Sequence, residues 1–277
     1  MPGRSVSTPR RVIRLMTVIG WIACGLLLVC WVQLMQQLQP ARVDRQRQKL
    51  TRWWMRNLIR ILPLQIRVTG APASGTTLWV SNHVSWLDIV VLGAQAPVHF
   101  LSKAEVRDWP VIGWLARQAG TLFIKRGGGQ ARRIKKTMVE HLQAGESVLV
   151  FPEGTTSSGL AVLPMHGLLL TAARDAGVPV QPVTIGYRRN QRPDPVAPFV
   201  GDDSFQRHLV RLLSLPPTCI EIVFHPPVTA DQPVNELSRH IHQEISAGLK
   251  RIHSGEFDTC EPLPVRTAAG PGLSRLP

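Results

Sequence analysis

The chain reads as an α/β domain, a mixed central sheet flanked by helices, behind an amino-terminal hydrophobic membrane anchor and a basic amphipathic helix. Three observations predict this. From about residue 63 short β-rich runs alternate with helical stretches. Well before them, Leu15 to Val32 is a run of 18 residues without a charge. Between the two lies an arginine-rich segment, 41–62, with paired tryptophans.

The uncharged run reaches the lower end of what spans a bilayer's hydrocarbon core. A signal peptide has a shorter apolar region and a small-residue cleavage site, whereas this run leads into Gln33 to Gln37 and a strongly basic stretch, so it reads as retained. A buried core helix is the bland alternative. Arginines stand on both sides (Arg4, Arg10, Arg11 and Arg14 before; Arg42, Arg45, Arg47 and Arg52 after), so loop charge gives no orientation, and a re-entrant dip fits as well as a full span. In the next segment Leu50, Trp53, Trp54, Leu58, Ile61 and Leu62 recur at helical spacing, with Arg47, Lys49, Arg52, Arg56 and Arg60 over much of the remaining surface. This describes an interfacial helix, its tryptophans at headgroup level and its arginines facing lipid phosphates. A nucleic-acid helix, the rival, leaves the preceding apolar run unexplained.

Strands are predicted at 65–69, 77–81, 98–102, 121–125, 147–151, 180–186 and 218–224. Helices are predicted near 86–95, 110–119, 130–144, 166–176 and 234–252, with Pro110 opening one and Gly145 closing another. Residues 190–198 read as a proline-rich surface loop. The expected organisation is therefore an anchor and interfacial helix at 1–62, a catalytic-size domain at 63–260 and a disordered tail at 261–277.

A chain of 277 residues, 44% of them apolar, can bury one substantial core, which excludes a disordered protein. Its formal charge of +14, from 32 Lys and Arg against 18 Asp and Glu, attracts polyanions without choosing among them. Cysteines 24, 30, 219 and 260 form no C-x-x-C pair and have no histidine at zinc-ligand spacing. Neither a disulfide framework nor a structural zinc is suggested, and the chain reads as intracellular.

The segment "VSNHVSWLDI", Val80 to Ile89, places His83 five residues before Asp88. On one regular helix that spacing turns the side chains about 140° apart. They can meet only with His83 in a loop and Asp88 in the first turn of the helix that follows, where the carboxylate would fix the imidazole tautomer and make His83 a general base. Taken alone, the segment reads as readily as a helix start whose aspartate complements the helix dipole. Three later segments shift the balance, each opening or closing a predicted strand: "GTLFIKR" (120–126), "FPEGTTSSG" (151–159) and "VPVQPVTI" (178–185). Ligands gather at strand ends in α/β sheets. There Arg126 can grip a phosphate, Gly154 lets backbone approach a ligand, and Thr155 offers a hydroxyl beside Glu153.

"NHVSWLD", "GTLFIKR", "FPEGTTS" and "VPVQPVTI", in this order, resemble the four sequence blocks of the glycerolipid acyltransferase family, which includes the lysophosphatidic acid acyltransferases. The resemblance implies transfer of a fatty acyl group from acyl-CoA or acyl carrier protein to a lysolipid hydroxyl, with no covalent acyl-enzyme, no metal and no cofactor. It implies that His83 deprotonates the acceptor and Asp88 orients it. Arg126 would hold the acceptor's phosphate, Glu153, Gly154 and Thr155 would shape the acceptor pocket, and 178–185 would line or support the acyl site. It also implies a bacterial-type inner membrane with catalysis at the cytoplasmic face, the bilayer and the lysolipid as partners, and no nucleic acid. The chemistry agrees: a thioester is already activated and needs no serine nucleophile, and the Gly-x-Ser-x-Gly elbow of lipases is absent.

One departure bears on the acceptor. Many phosphatidate-forming members resemble "FPEGTRS", whereas this chain carries Thr156. Lys125, next to Arg126 on a strand, points to the opposite face and is a poor substitute. With Arg126 remaining, 1-acyl-glycerol-3-phosphate, giving phosphatidic acid, is the first expectation. A lyso-ornithine lipid or another lysophospholipid is the second, and a basic membrane or nucleic-acid binding protein without activity the third. Other signals are weaker. "KRGGGQARRIKK" lacks a P-loop ending, "HIHQE" (240–244) has a spacing unsuited to metal binding on a helix, His225 reads as a loop residue, and His99 as a packed or exposed strand residue.

Overall fold

The computed structural model describes residues 6–38, 40–124 and 130–259. Arg126 and the expected tail at 261–277 lie outside these residues. The fold is the expected mixed α/β sheet with helices against it. Its strands, β1 (Leu64–Thr69), β2 (Leu78–Ser81), β3 (His99–Lys103), β4 (Leu122–Ile124), β5 (Val148–Val150), β6 (Val180–Arg189), β7 (Arg192–Pro193) and β8 (Thr218–Phe224), form one sheet in the order β1-β8-β6-β2-β5-β3-β4, with β7 beside β6. The five strands from β6 to β4 run parallel, β8 is antiparallel to β6, and β1 is parallel to β8. Every residue of β2, β5 and β6 is buried, as strands covered on both faces require. Because β6, β2 and β5 are parallel neighbours, the loops leaving β2 and β5 emerge side by side at one end of the sheet.

The helices are α1 (Thr8–Leu38), α2 (Pro40–Ile61), α3 (Leu87–Gly93), α4 (Ile112–Gln118), α5 (Gln130–Gln143), α6 (Thr171–Ala176), α7 (Phe205–Leu213) and α8 (Val234–Ser254). α1 and α2 fold back on each other: the indole nitrogen of Trp21 donates to the carbonyl of Trp54, and that of Trp54 to the carbonyl of Trp21, at 3.2 and 3.1 Å. Gly25 permits this contact, since a Cβ there would stand 2.8 Å from the Trp54 indole nitrogen. Met55, Leu58 and Leu62 of the second helical segment join the same buried cluster as Leu87, Val91 and Leu149. Among the described residues α1 is the helix long and apolar enough to cross a membrane, with only 17% of its most apolar window covered by protein.

Several expectations are corrected. The expected lipid-facing role of two α2 arginines is one: Arg52 and Arg56 donate to the carbonyl of Ala94, at 3.2 and 3.0 Å, capping the carboxyl end of α3. Their charge answers the unsatisfied carbonyls and dipole of that helix. Helix α4 starts at Ile112 rather than Pro110, because Val111 takes φ 64° and breaks the helical path. The expected surface loop at 190–198 instead turns tightly at Asn190 and Gln191, both at positive φ, and pairs β7 with β6. Within it Asp194 is buried against Arg189 at 2.8 Å. Helix α7 was unexpected, although Ser204 caps it by accepting from the Arg207 amide.

Candidate active site

β2 ends at Ser81, and the chain leaves the sheet through Asn82 and His83 before α3 begins at Leu87. Asn82 pins this loop to β6: its amide donates to the Ile185 carbonyl and its oxygen accepts from the Ile185 amide, both at 2.9 Å. The helix start then returns Asp88 to the imidazole. His83 Nδ1 lies 2.7 Å from Asp88 Oδ2, which also accepts from the amides of Val84 and Ser85 at 2.7 and 2.9 Å. From near the carboxyl end of β6, the Tyr187 hydroxyl donates to Asp88 Oδ1 at 2.5 Å. Asp88 is fully buried, and these four donors compensate the removal of its carboxylate from water. With Nδ1–H committed to Asp88, His83 presents the lone pair of Nε2, the arrangement of a histidine base.

The loop after β5 holds the other side of the imidazole. Phe151 stacks on the His83 ring with centroids 4.0 Å apart. Glu153 accepts from the His83 amide at 3.2 Å, and the Ser157 amide donates to the His83 carbonyl at 2.8 Å. Burial pushes the Glu153 carboxyl up to about 7, against the downward pull of the His83 and Leu163 amides, with the charge of Asp88 adding to the rise. Gly154 takes φ 66°, a left-handed conformation that favours glycine, and lets the turn close beneath the ring. Thr156 donates its hydroxyl to the carbonyl of Phe199, tying the loop to the 198–204 segment, whose Phe199 amide in turn donates to the Val84 carbonyl at 2.9 Å.

His83, Gly154 and Thr156 line a cavity of about 1400 Å³ that runs among apolar side chains of the first helices and of α4, including Val18, Ile22, Met55, Leu58, Ile112 and Leu115. The cavity exceeds an ordinary small-molecule site and suits a long hydrocarbon chain.

An acyltransferase family model matches residues 65–186, the stretch that contains the loops after β2 and β5. A lyso-ornithine lipid O-acyltransferase of Pseudomonas aeruginosa is 45% identical over 261 residues, 94% of this chain and 98% of that protein. The chain belongs to the acyltransferase family. A 1-acyl-sn-glycerol-3-phosphate acyltransferase of Neisseria meningitidis is 32% identical over 73% of this chain and 80% of its own length. The crystal structure of the 1-acyl-sn-glycerophosphate acyltransferase of Thermotoga maritima shares the fold, with a TM-score of 0.66 at 21% identity over 88% of this chain and 97% of the other.

In this acyltransferase the structure brings His83, Asp88, Glu153 and Gly154 together. It places Glu153 under the His83 loop, buried and bonded to the loop's backbone, and Thr155 outside the residues that line the cavity. The block at 178–185 supports the site through Ile185 and lines none of the cavity. Sequence reasoning missed Tyr187, Phe151 as a stacking partner and the Thr156–Phe199 tie. Tyr187 is the sole tyrosine in the chain, a signal that could have singled it out.

Proposed function

We propose that this acyltransferase moves a fatty acyl group from acyl-CoA or acyl carrier protein to the free hydroxyl of a lyso-ornithine lipid. The observation that carries this reading is the 45% identity to the Pseudomonas aeruginosa protein of that name along nearly the whole of both chains. Thr156 supports it. At the position where phosphatidate-forming relatives resemble "FPEGTRS", this chain has a hydroxyl committed to the Phe199 carbonyl and no cation for a phosphate. His83 Nε2 takes the proton of the acceptor hydroxyl as its oxygen attacks the thioester carbonyl. The tetrahedral intermediate then expels the thiolate, which recovers that proton from His83. Asp88, held by Tyr187 and two amides, steadies the imidazolium between the two transfers. The apolar cavity takes a hydrocarbon chain, and α1 anchors the enzyme in the inner membrane with its site toward the cytoplasm, where acyl thioesters are supplied.

The test offers purified enzyme, in vesicles with a labelled acyl thioester, lyso-ornithine lipid and lysophosphatidate in separate reactions. The expected result is a kcat/KM at least about tenfold higher on the ornithine acceptor, about 1.4 kcal/mol of discrimination. Thr156→Arg should narrow that gap by raising turnover of lysophosphatidate. Equal or better use of lysophosphatidate by the unaltered enzyme would restore the acceptor first expected from Arg126.

A further inference from the structure

Away from the reacting centre, three chemically matched side chains converge from elements distant in sequence. His99 stands on β3, His141 in the last turn of α5, and Glu146 in the turn that leads into β5. Their ligand atoms lie within 4.8 Å of one another, the group of its kind among the described residues. Glu146 Oε2 is 2.5 Å from His141 Nδ1 and 3.2 Å from His99 Nε2, and the two rings are tilted 34° with centroids 4.5 Å apart.

The tautomer of His99 gives the cluster its meaning. Its Nδ1 lies 3.0 Å from the Gly120 carbonyl, which can only accept, so Nδ1 carries a proton and the neutral ring has its lone pair on Nε2. In the neutral ring that lone pair faces both the Gln48 side-chain amide, 3.2 Å away, and Glu146 Oε2, an acceptor against an acceptor that a cation between them would reconcile. A backbone carbonyl bonded to the far nitrogen is the usual support of a metal-ligating histidine. His99 is buried while His141 and Glu146 are half-exposed, so an ion can enter from solvent. Two imidazoles and one carboxylate suit zinc, with water as the fourth ligand.

We propose that His99, His141 and Glu146 bind a zinc ion that clamps β3, α5 and the turn before β5. The clamp also fixes one wall of the apolar cavity. Gly120 is held to His99, and its neighbours Ala119 and Thr121 line that cavity.

The test titrates Zn²⁺ into the full, tag-free protein by calorimetry and follows its thermal midpoint, with Co²⁺ as a visible-spectrum probe. One ion per chain should bind with micromolar or tighter affinity and raise the midpoint by roughly 5 °C at saturation. His141→Ala and Glu146→Gln should each abolish both effects, whereas His242→Ala, on α8 beside the Val162 carbonyl, should leave them intact. Should His141→Ala not fold, Glu146→Gln and the Co²⁺ spectrum of the unaltered protein decide. Absence of saturable binding, or binding indifferent to Glu146→Gln, overturns the site and means that the three groups share a proton instead.

Discussion

Removing one oxygen tests the residue scale. Tyr187→Phe strips Asp88 Oδ1 of the donor at 2.5 Å and leaves a buried carboxylate oxygen unsatisfied. The expected cost is about 1 to 3 kcal/mol of stability, read by denaturant titration, together with a fall in kcat and little change in KM. An unchanged kcat would make Tyr187 a packing residue only. Glu153 gives a second test at this scale, through pH. Its carboxyl titrates near 7 in the fold against 4.5 unfolded, so between those values the native state holds the proton more often. Stability should therefore decline as pH rises from about 4.5 to 7 and level off above, while Glu153→Gln, which keeps an acceptor for the His83 amide, should flatten that slope in thermal scans. The meeting of His83 with Asp88 was legible because a loop-then-helix reading of ten residues makes only one contact geometry available. Tyr187 was not, because it stands 99 residues away and reaches Asp88 only through the pairing of β6 with β2.

At the scale of elements, the strands and most helices followed from local patterning, whereas the partners of α2 did not. Its tryptophans and arginines carry the composition of an interfacial helix, yet Trp54 locks to α1 and Arg52 and Arg56 cap α3. Composition reports which surfaces a helix offers and not which neighbour takes them. The turn at Asn190 and Gln191 was hidden for a related reason, since positive φ at Gln191 is imposed by the pairing of β7. Gly25→Leu should part the two helices. The side chain would start 2.8 Å from the Trp54 indole nitrogen, so tryptophan emission should shift to the red and acyl transfer should drop. The outward face of α1 exposes Ile13, Met16 and Ile19, each at least half accessible. Replacing all three with glutamine should shift the protein from membrane pellet to supernatant, while an unaltered distribution would remove α1 as the anchor.

Across the whole molecule, the sheet brings the loops after β2 and β5 together, and the helical pair closes an apolar cavity over them. The four blocks revealed the reaction class, and two of them place the His83–Asp88 pair and the Glu153–Gly154 turn at neighbouring strand ends. The cavity was beyond sequence reading, since its walls come from α1, α2 and α4 at once. The central claim is that acyl transfer runs through His83 in the lining of that cavity. Its most direct test is the single-turnover rate of acyl transfer to lyso-ornithine lipid by the unaltered enzyme and by His83→Gln, with thermal midpoint and membrane binding matched. The account predicts a loss of roughly 10² to 10⁴ in rate with the fold and anchoring unchanged. Turnover retained within a few-fold by the variant would contradict it.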